Sequence, residues 1–126
     1  MRCLFLLITF FVFYTTHYSQ AKLEVADAKK NFGFVKKGEV VKIEYSIKNT
    51  GNQPLIISSV EIGCSCTTVD YPKQPIDPNT TEKVIITFDT KTVYDRQDRV
   101  VILKSNDKKE STKLRYKGVV LEKKIP

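Results

Sequence analysis

Histidine occurs once in this chain, at His17, methionine once, at Met1, and tryptophan not at all. Both single residues lie ahead of Lys22. From Lys22 onward no imidazole is available, so a Ser-His-Asp or Cys-His nucleophile has no base. Zinc and copper sites built on imidazole are excluded on the same ground. Paired carboxylates can still act as acid and base, but no pair is marked out by its setting. Helical patterning is missing too: beyond residue 21 no stretch of ten or more residues carries helical apolar spacing. Long apolar runs are absent with one exception, Leu4–Tyr14, "LFLLITFFVFY". That run is about half the ~20 residues a helix needs to span a bilayer.

The exception has a recognisable build. Met1-Arg2 gives a positive start, the apolar run follows, and "THYSQA" turns polar. Ser19 and Ala21 are small residues at the −3 and −1 positions of a cut between Ala21 and Lys22. The expectation is a signal peptide over residues 1–21 and one domain over residues 22–126. The protein is then periplasmic or secreted, with no transmembrane segment after cleavage. Cys3 precedes the apolar run, which argues against lipid attachment by that route. Cleavage removes His17, Met1 and Cys3, and leaves Cys64 and Cys66 as an even pair in an oxidising compartment.

What the domain does contain is short alternating runs broken by turn residues. "VVKIEYSIK" (residues 40–48) sets Val41, Ile43, Tyr45 and Ile47 on one face and Lys42, Glu44, Ser46 and Lys48 on the other, the pattern of a half-buried strand. Residues 83–89, 99–105 and 112–120 complete the strongest set. Residues 23–27, 31–35, 54–62 and 66–70 read as weaker strands. "KKGE" (36–39), "NTGNQP" (49–54), "DPNT" (77–80) and "SNDKKE" (105–110) are turn sequences. Seven or eight strands at this spacing predict an all-β sandwich or barrel.

The net charge of +7 has two readings. One is a surface for an anionic partner. The other is solvated turns and charged strands that block edge-to-edge pairing. Lysine doublets at 29–30, 36–37, 108–109 and 123–124 fall in expected turns or at the terminus. Acidic residues are interspersed, and no Arg/aromatic stripe marks a nucleic-acid binder. The second reading is adopted, with no nucleic acid as partner. Phe32, Phe34, Tyr45, Phe88 and Tyr116 alternate along strands and are expected in the core. Tyr71 and Tyr94 lie in expected loops. Asn79-Thr80-Thr81 fits the glycosylation acceptor pattern but is read as a chance match.

"NFGFVKKGE", "YSIKNTGNQPLIISSVEIGCSCTTVDYPKQPIDPNTTEKVIITFDT", "ILKSND" and "LRYKGVV" follow one another in order. This series resembles a bacterial family of exported domains of unknown function, the one numbered 1573. The shared pieces are the Phe-Gly opening, an Asn-x-Gly turn, a Pro-Leu-x-Ile strand, a Cys-Gly-Cys-Thr motif and a strand ending in Gly-x-Val. The resemblance spans about Asn31 to Val120. Ser65 stands where the family's motif has glycine. The resemblance implies an immunoglobulin-like antiparallel β-sandwich of about seven strands. It implies no activity, and the fold alone selects none.

Cys64 and Cys66 are the one unusual pair. In an extended strand both side chains share a face about 6.6 Å apart, whereas a disulfide needs Cβ atoms about 3.5–4.5 Å apart. A local bridge therefore requires a kink, which Gly63 makes possible. The alternatives are two ligands for a soft ion such as Cu(I), a cross-link to another protein or a second copy, or small buried hydrophobes. Glu61 and Asp70, the nearest charges in sequence, would disfavour a reactive thiolate. Two functional readings follow. The leading one is a non-enzymatic exported module that binds or assembles with another envelope protein, without a cofactor, by strand addition to an open edge. The competing one is a thiol-based redox or copper-binding protein centred on Cys64 and Cys66. Oligomeric state is left undetermined by the sequence.

Overall fold

The computed structural model describes residues 19–122. The apolar run expected to be a signal peptide, and the lysine doublet at 123–124, lie outside these residues. Eight strands occur among them: β1 (Leu23–Val25), β2 (Lys29–Lys36), β3 (Val40–Asn49), β4 (Ile57–Ile62), β5 (Thr67–Asp70), β6 (Thr81–Asp89), β7 (Asp95–Ser105) and β8 (Ser111–Leu121). They form two four-stranded sheets, ordered β1-β3-β6-β5 and β2-β8-β7-β4. No helix is present among the described residues, and so none long and apolar enough to cross a membrane.

Alternation explains the layers. In β3, Ile43, Tyr45 and Ile47 are buried while the residues between them are exposed. Val84, Ile86 and Phe88 of β6 continue that inner surface. Val101 and Leu103 of β7, with Leu114, Tyr116 and Val120 of β8, supply the facing layer. Burial of these side chains, at about 1.5–3 kcal/mol each, is what holds the two sheets face to face.

Three sequence expectations are corrected. The sandwich is not wholly antiparallel, because β2 runs parallel to β8. Lys29 and Lys30 belong to strand β2 rather than to a turn. Phe34 is not core: it is 75% exposed. Its displacement follows from a bulge between Asn31 and Gly33, where Gly33 takes φ +75°. The extra residue reverses the parity of the strand. Phe32 therefore points inward, onto Gly118, while Phe34 points to solvent. A side chain at Gly118 would meet the Phe32 ring. Tyr71, expected in a loop, packs against the core, whereas Tyr94 is exposed.

One end of the sandwich is closed by polar side chains that are fully buried. The Asn49 Oδ1 accepts from the amides of Lys22 (3.3 Å) and Gly51 (3.0 Å), and its Nδ2 donates to the carbonyls of Gln53 (2.6 Å) and Ile76 (2.8 Å). Asp107 Oδ2 accepts from the Leu23 amide at 2.7 Å and Oδ1 from the Lys109 amide at 2.9 Å. Ala21 is 2% exposed at this end. The Gln20 amide donates to Asn52 Oδ1 (2.8 Å) and the Asn52 amide to the Gln20 carbonyl (3.0 Å). Residues 20–22 lie so close over Gly51 that a Cβ there would stand 2.7 Å from the Lys22 nitrogen.

Candidate functional site

The other end holds the cysteine pair. β4 lies at the edge of one sheet and β5 at the edge of the other, so the chain must change sheets between Ile62 and Thr67. It does so through a tight turn in which the Thr67 amide donates to the Cys64 carbonyl at 3.2 Å. Cys64 and Cys66 are joined by a disulfide, with Cα atoms 5.2 Å apart. The expected extended spacing is thus replaced by a turn, and β5 begins at Thr67 rather than Cys66. The chain bends at Gly63, as expected, without a left-handed conformation there, and then turns at Ser65-Cys66. The Cys66 amide donates to Cys64 Sγ at 3.1 Å.

The two sulfurs are not equivalent. Cys66 is packed against the core, and its Sγ lies 3.8 Å from Thr67 Oγ1. That hydroxyl is itself hydrogen-bonded to the Tyr116 hydroxyl at 2.6 Å, in a buried pair. Cys64 lines an open cleft of about 220 Å³, together with Ile62, Thr67, Arg99, Val101 and Tyr116. Beneath the cleft the Phe88 and Tyr116 rings meet tilted at 58° with centroids 5.4 Å apart, and Phe32 lies 5.7 Å from Phe88. Burial raises the Tyr116 hydroxyl above its ordinary pKa, against the opposing Thr67 hydrogen bond and the Arg99 charge.

Arg99 supplies the cleft's cation. It occupies an inward position of β7 and sits 5.6 Å over the Phe88 ring. Its Nη2 and Nε donate to Gln97 Oε1 at 2.8 Å and 3.2 Å. Among the described residues Arg99 makes no ion pair with a carboxylate. Asp98, at the rim of the cleft, is held instead by Arg115, which keeps its carboxyl below the usual value through a side-chain hydrogen bond. The sequence neighbours that seemed to oppose a thiolate are turned elsewhere. Glu61 pairs with Lys104 at 3.6 Å on the outer face. Asp70 lies at the far end of β5, about 13 Å along the strand from Cys66.

Sequence reasoning found the cysteines but missed Thr67, Arg99 and Tyr116 as their neighbours. Arg99 was legible by parity, since Val101 and Leu103 fix the inner face of β7. With the sulfurs bonded to one another, neither carries the thiolate that a copper ion requires. No cluster of three or more His, Cys, Asp or Glu side chains suited to a metal occurs among the described residues. Ala21 and Lys22, which flank the expected cut, belong to the opposite end of the molecule.

Comparison with known proteins adds fold and family but no activity. A family model described as "Protein of unknown function (DUF1573)" matches residues 23–120. No curated protein matches the chain. A protein of unknown function from Porphyromonas gingivalis W83 is similar at 19% identity and a TM-score of 0.73, over 81% of this chain and 48% of that one. The chain thus spans about half the length of that protein. The PapD-like domain 7 of human CEP192 is similar at 14% identity and a TM-score of 0.64, over 82% and 87% of the two chains. The VesB protease of Vibrio cholerae is similar at 14% identity and a TM-score of 0.60, over 84% of this chain and 33% of that one. At these identities the likeness is one of fold, an all-β PapD-like sandwich.

Proposed function

This chain is a member of the protein family of unknown function DUF1573, and on that premise we propose that it is an exported, non-enzymatic module that binds another envelope protein along the outer edge of β4. The apolar run at residues 4–14 supports export, by the build of a signal peptide. The observation that carries the binding reading is the contrast among the four sheet edges. β1 and β5 are three and four residues long, too short to template much pairing. β2 carries Lys29, Lys30 and Lys36 and a bulge, the usual defences of an edge. β4, "ISSVEI", carries no lysine and no proline, and its one charge, Glu61, is paired with Lys104; its own irregularity is confined to Ile57–Ser59, and Ser59–Ile62 keep regular register with β7. Ile56 just before it and Ile62 at its end are 47% and 41% exposed. An extended segment added there would gain main-chain hydrogen bonds from the edge and side-chain contact from the two isoleucines.

A photo-activatable residue placed at Ser59 on β4, compared in living cells with one at Asn31 on β2, tests this. A discrete cross-linked partner from Ser59 and none from Asn31 is expected. Equal labelling from both positions, or none from Ser59, would sink the reading.

A further inference from the structure

The cysteine turn has a property that strand addition does not use. A disulfide stabilises chiefly by closing a loop in the unfolded chain, and a loop of three residues is worth only about 1.6 kcal/mol on that model. The bond cross-links no two elements that Gly63–Cys66 does not already join. It is also set at the mouth of an open cleft rather than inside the core. A staple needs neither feature, whereas an exchangeable disulfide needs accessible sulfur and a polarised approach.

We propose that Cys64–Cys66 is a thiol–disulfide exchange site, with Cys64 the sulfur that meets an anionic thiol partner and Cys66 the sulfur that leaves and resolves. The assignment rests on the asymmetry of the pair. Cys64 faces the cleft, while Cys66 is packed inward against the core. Arg99, without a carboxylate of its own, faces the same cleft and offers a cation to an incoming thiolate or to a carboxylate beside it. In the closed disulfide the Cys66 amide donates to Cys64 Sγ at 3.1 Å, drawing electron density from the sulfur that is attacked. Asp98 and Arg115 are the other charged groups near the rim, and they neutralise one another.

The step balances without a further reagent. The partner's thiolate attacks Cys64 Sγ and a new sulfur–sulfur bond forms. The Cys64–Cys66 bond breaks, and its electron pair leaves on Cys66 Sγ, which takes a proton from water. The partner sulfur is oxidised to the mixed disulfide and Cys66 is reduced. Attack by Cys66 thiolate on Cys64 Sγ reverses the step and expels the partner. A second thiolate attacking the partner's own sulfur in the mixed disulfide leaves the dithiol and a disulfide of the two thiols.

The chemistry required is a thiol with negative charge nearby, and two sources can supply it. One is a small thiol such as glutathione; the other is a cysteine beside glutamate in an extended polypeptide. The test uses the folded full chain at pH 7, with acid quenching, alkylation and mass mapping of adducts. In excess reduced glutathione the disulfide opens, and the mixed disulfide maps to Cys64. With Cys66→Ser, oxidised glutathione modifies Cys64 at least about tenfold faster than it modifies Cys66 in Cys64→Ser. Arg99→Gln slows glutathione more than it slows uncharged mercaptoethanol. A cysteine-glutamate peptide run alongside separates the sources: faster reaction per mole than glutathione assigns a polypeptide, equal or slower reaction a small thiol. A disulfide that stays closed toward both thiols, or adducts that map equally to both cysteines, overturns the proposal. Mapping on the unmutated chain keeps the test decisive where a serine variant fails to fold. None of these readouts involves β4, so failure of the strand-addition reading leaves this one standing, and the reverse.

Discussion

At one end of the sandwich Asn49 and Asp107 are buried with their polar side-chain atoms engaged. At the other, Cys64 and Cys66 sit half-buried above an open cleft. Both ends tie loops to strands, but by different physics. The Asn49 end joins residues 22, 51, 53 and 76 through one amide, so its removal strands groups from three separate loops. The cysteine end joins residues two apart and holds nothing distant. The first arrangement is what stability asks for, and the second leaves chemistry accessible.

The contrast is broken most severely at Asn49. Asn49→Ala removes the partner of the part-buried Gln53 carbonyl and Gly51 amide, takes one of two donors from the buried Ile76 carbonyl, which keeps the Leu55 amide, and empties a fully buried side-chain site. The expected loss is about 3 kcal/mol, or roughly 15 °C in Tm. Thermal unfolding followed by circular dichroism reads it directly. A loss no larger than that from removing the disulfide would erase the distinction between the two ends.

Next in size is the segment that covers Gly51. A chain beginning at Lys22, as a cut after Ala21 would produce, loses the two Gln20–Asn52 hydrogen bonds and the buried Ala21 methyl. Against a chain beginning at Ser19 it is expected to be about 2 kcal/mol less stable by denaturant titration. Gly51→Ala sharpens the point. In the longer chain the added methyl meets the Gln20 carbonyl and Ala21 as well as the Lys22 nitrogen, and in the shorter chain only the Lys22 contact remains. The substitution therefore costs more in the longer chain. Equal costs would mean that residues 19–21 do not pack on Gly51.

Smaller again is loss of the disulfide. Replacing Cys64 and Cys66 together by serine is expected to cost no more than about 1.6 kcal/mol, the loop-closure value for three residues. Urea midpoints of the two proteins measure it. A cost approaching that of Asn49→Ala would make the turn a structural staple and weaken its assignment as an exchange site.

How far the sequence carried each end follows from where the information lies. The strands of the core were legible because alternation is local: Ile43, Tyr45 and Ile47 declare a buried face unaided. The start of β7 was not, since "DRQD" is polar on both faces and only Gln97 in it turns inward. Parity placed Phe34 in the core because a one-residue bulge is invisible in a pattern, although Gly33 supplied the residue type it needs. The β2–β8 pairing was hidden because alternation assigns faces, not neighbours. Cys-Ser-Cys spacing left four chemical options open. The turn that selects the disulfide is imposed by β4 and β5 lying in different sheets, which is a property of the topology.

The smallest effect expected probes the floor of the cleft. Tyr116→Phe removes the hydroxyl that bonds Thr67 Oγ1, at a cost of about 1 kcal/mol near neutral pH. Its pH dependence has a definite sign. Burial raises the folded Tyr116 pKa above the ordinary value of 10.0. The folded state therefore holds its proton at a pH where the unfolded chain releases one, so the contribution is complete below pH 10. It is lost as pH rises through that value toward the folded one. Lysine titration is common to both proteins and cancels in the difference, while Tyr45, raised chiefly by burial and in part by the Tyr116 charge, titrates above this window. The stability gap between the unmodified chain and Tyr116→Phe should accordingly narrow between pH 9 and pH 11, read from urea midpoints at each pH. A gap that stays constant would mean that Tyr116 is as well hydrated folded as unfolded. The cleft beside Cys64 would then extend to its hydroxyl, and the closed floor that separates the exposed sulfur from the core would not exist.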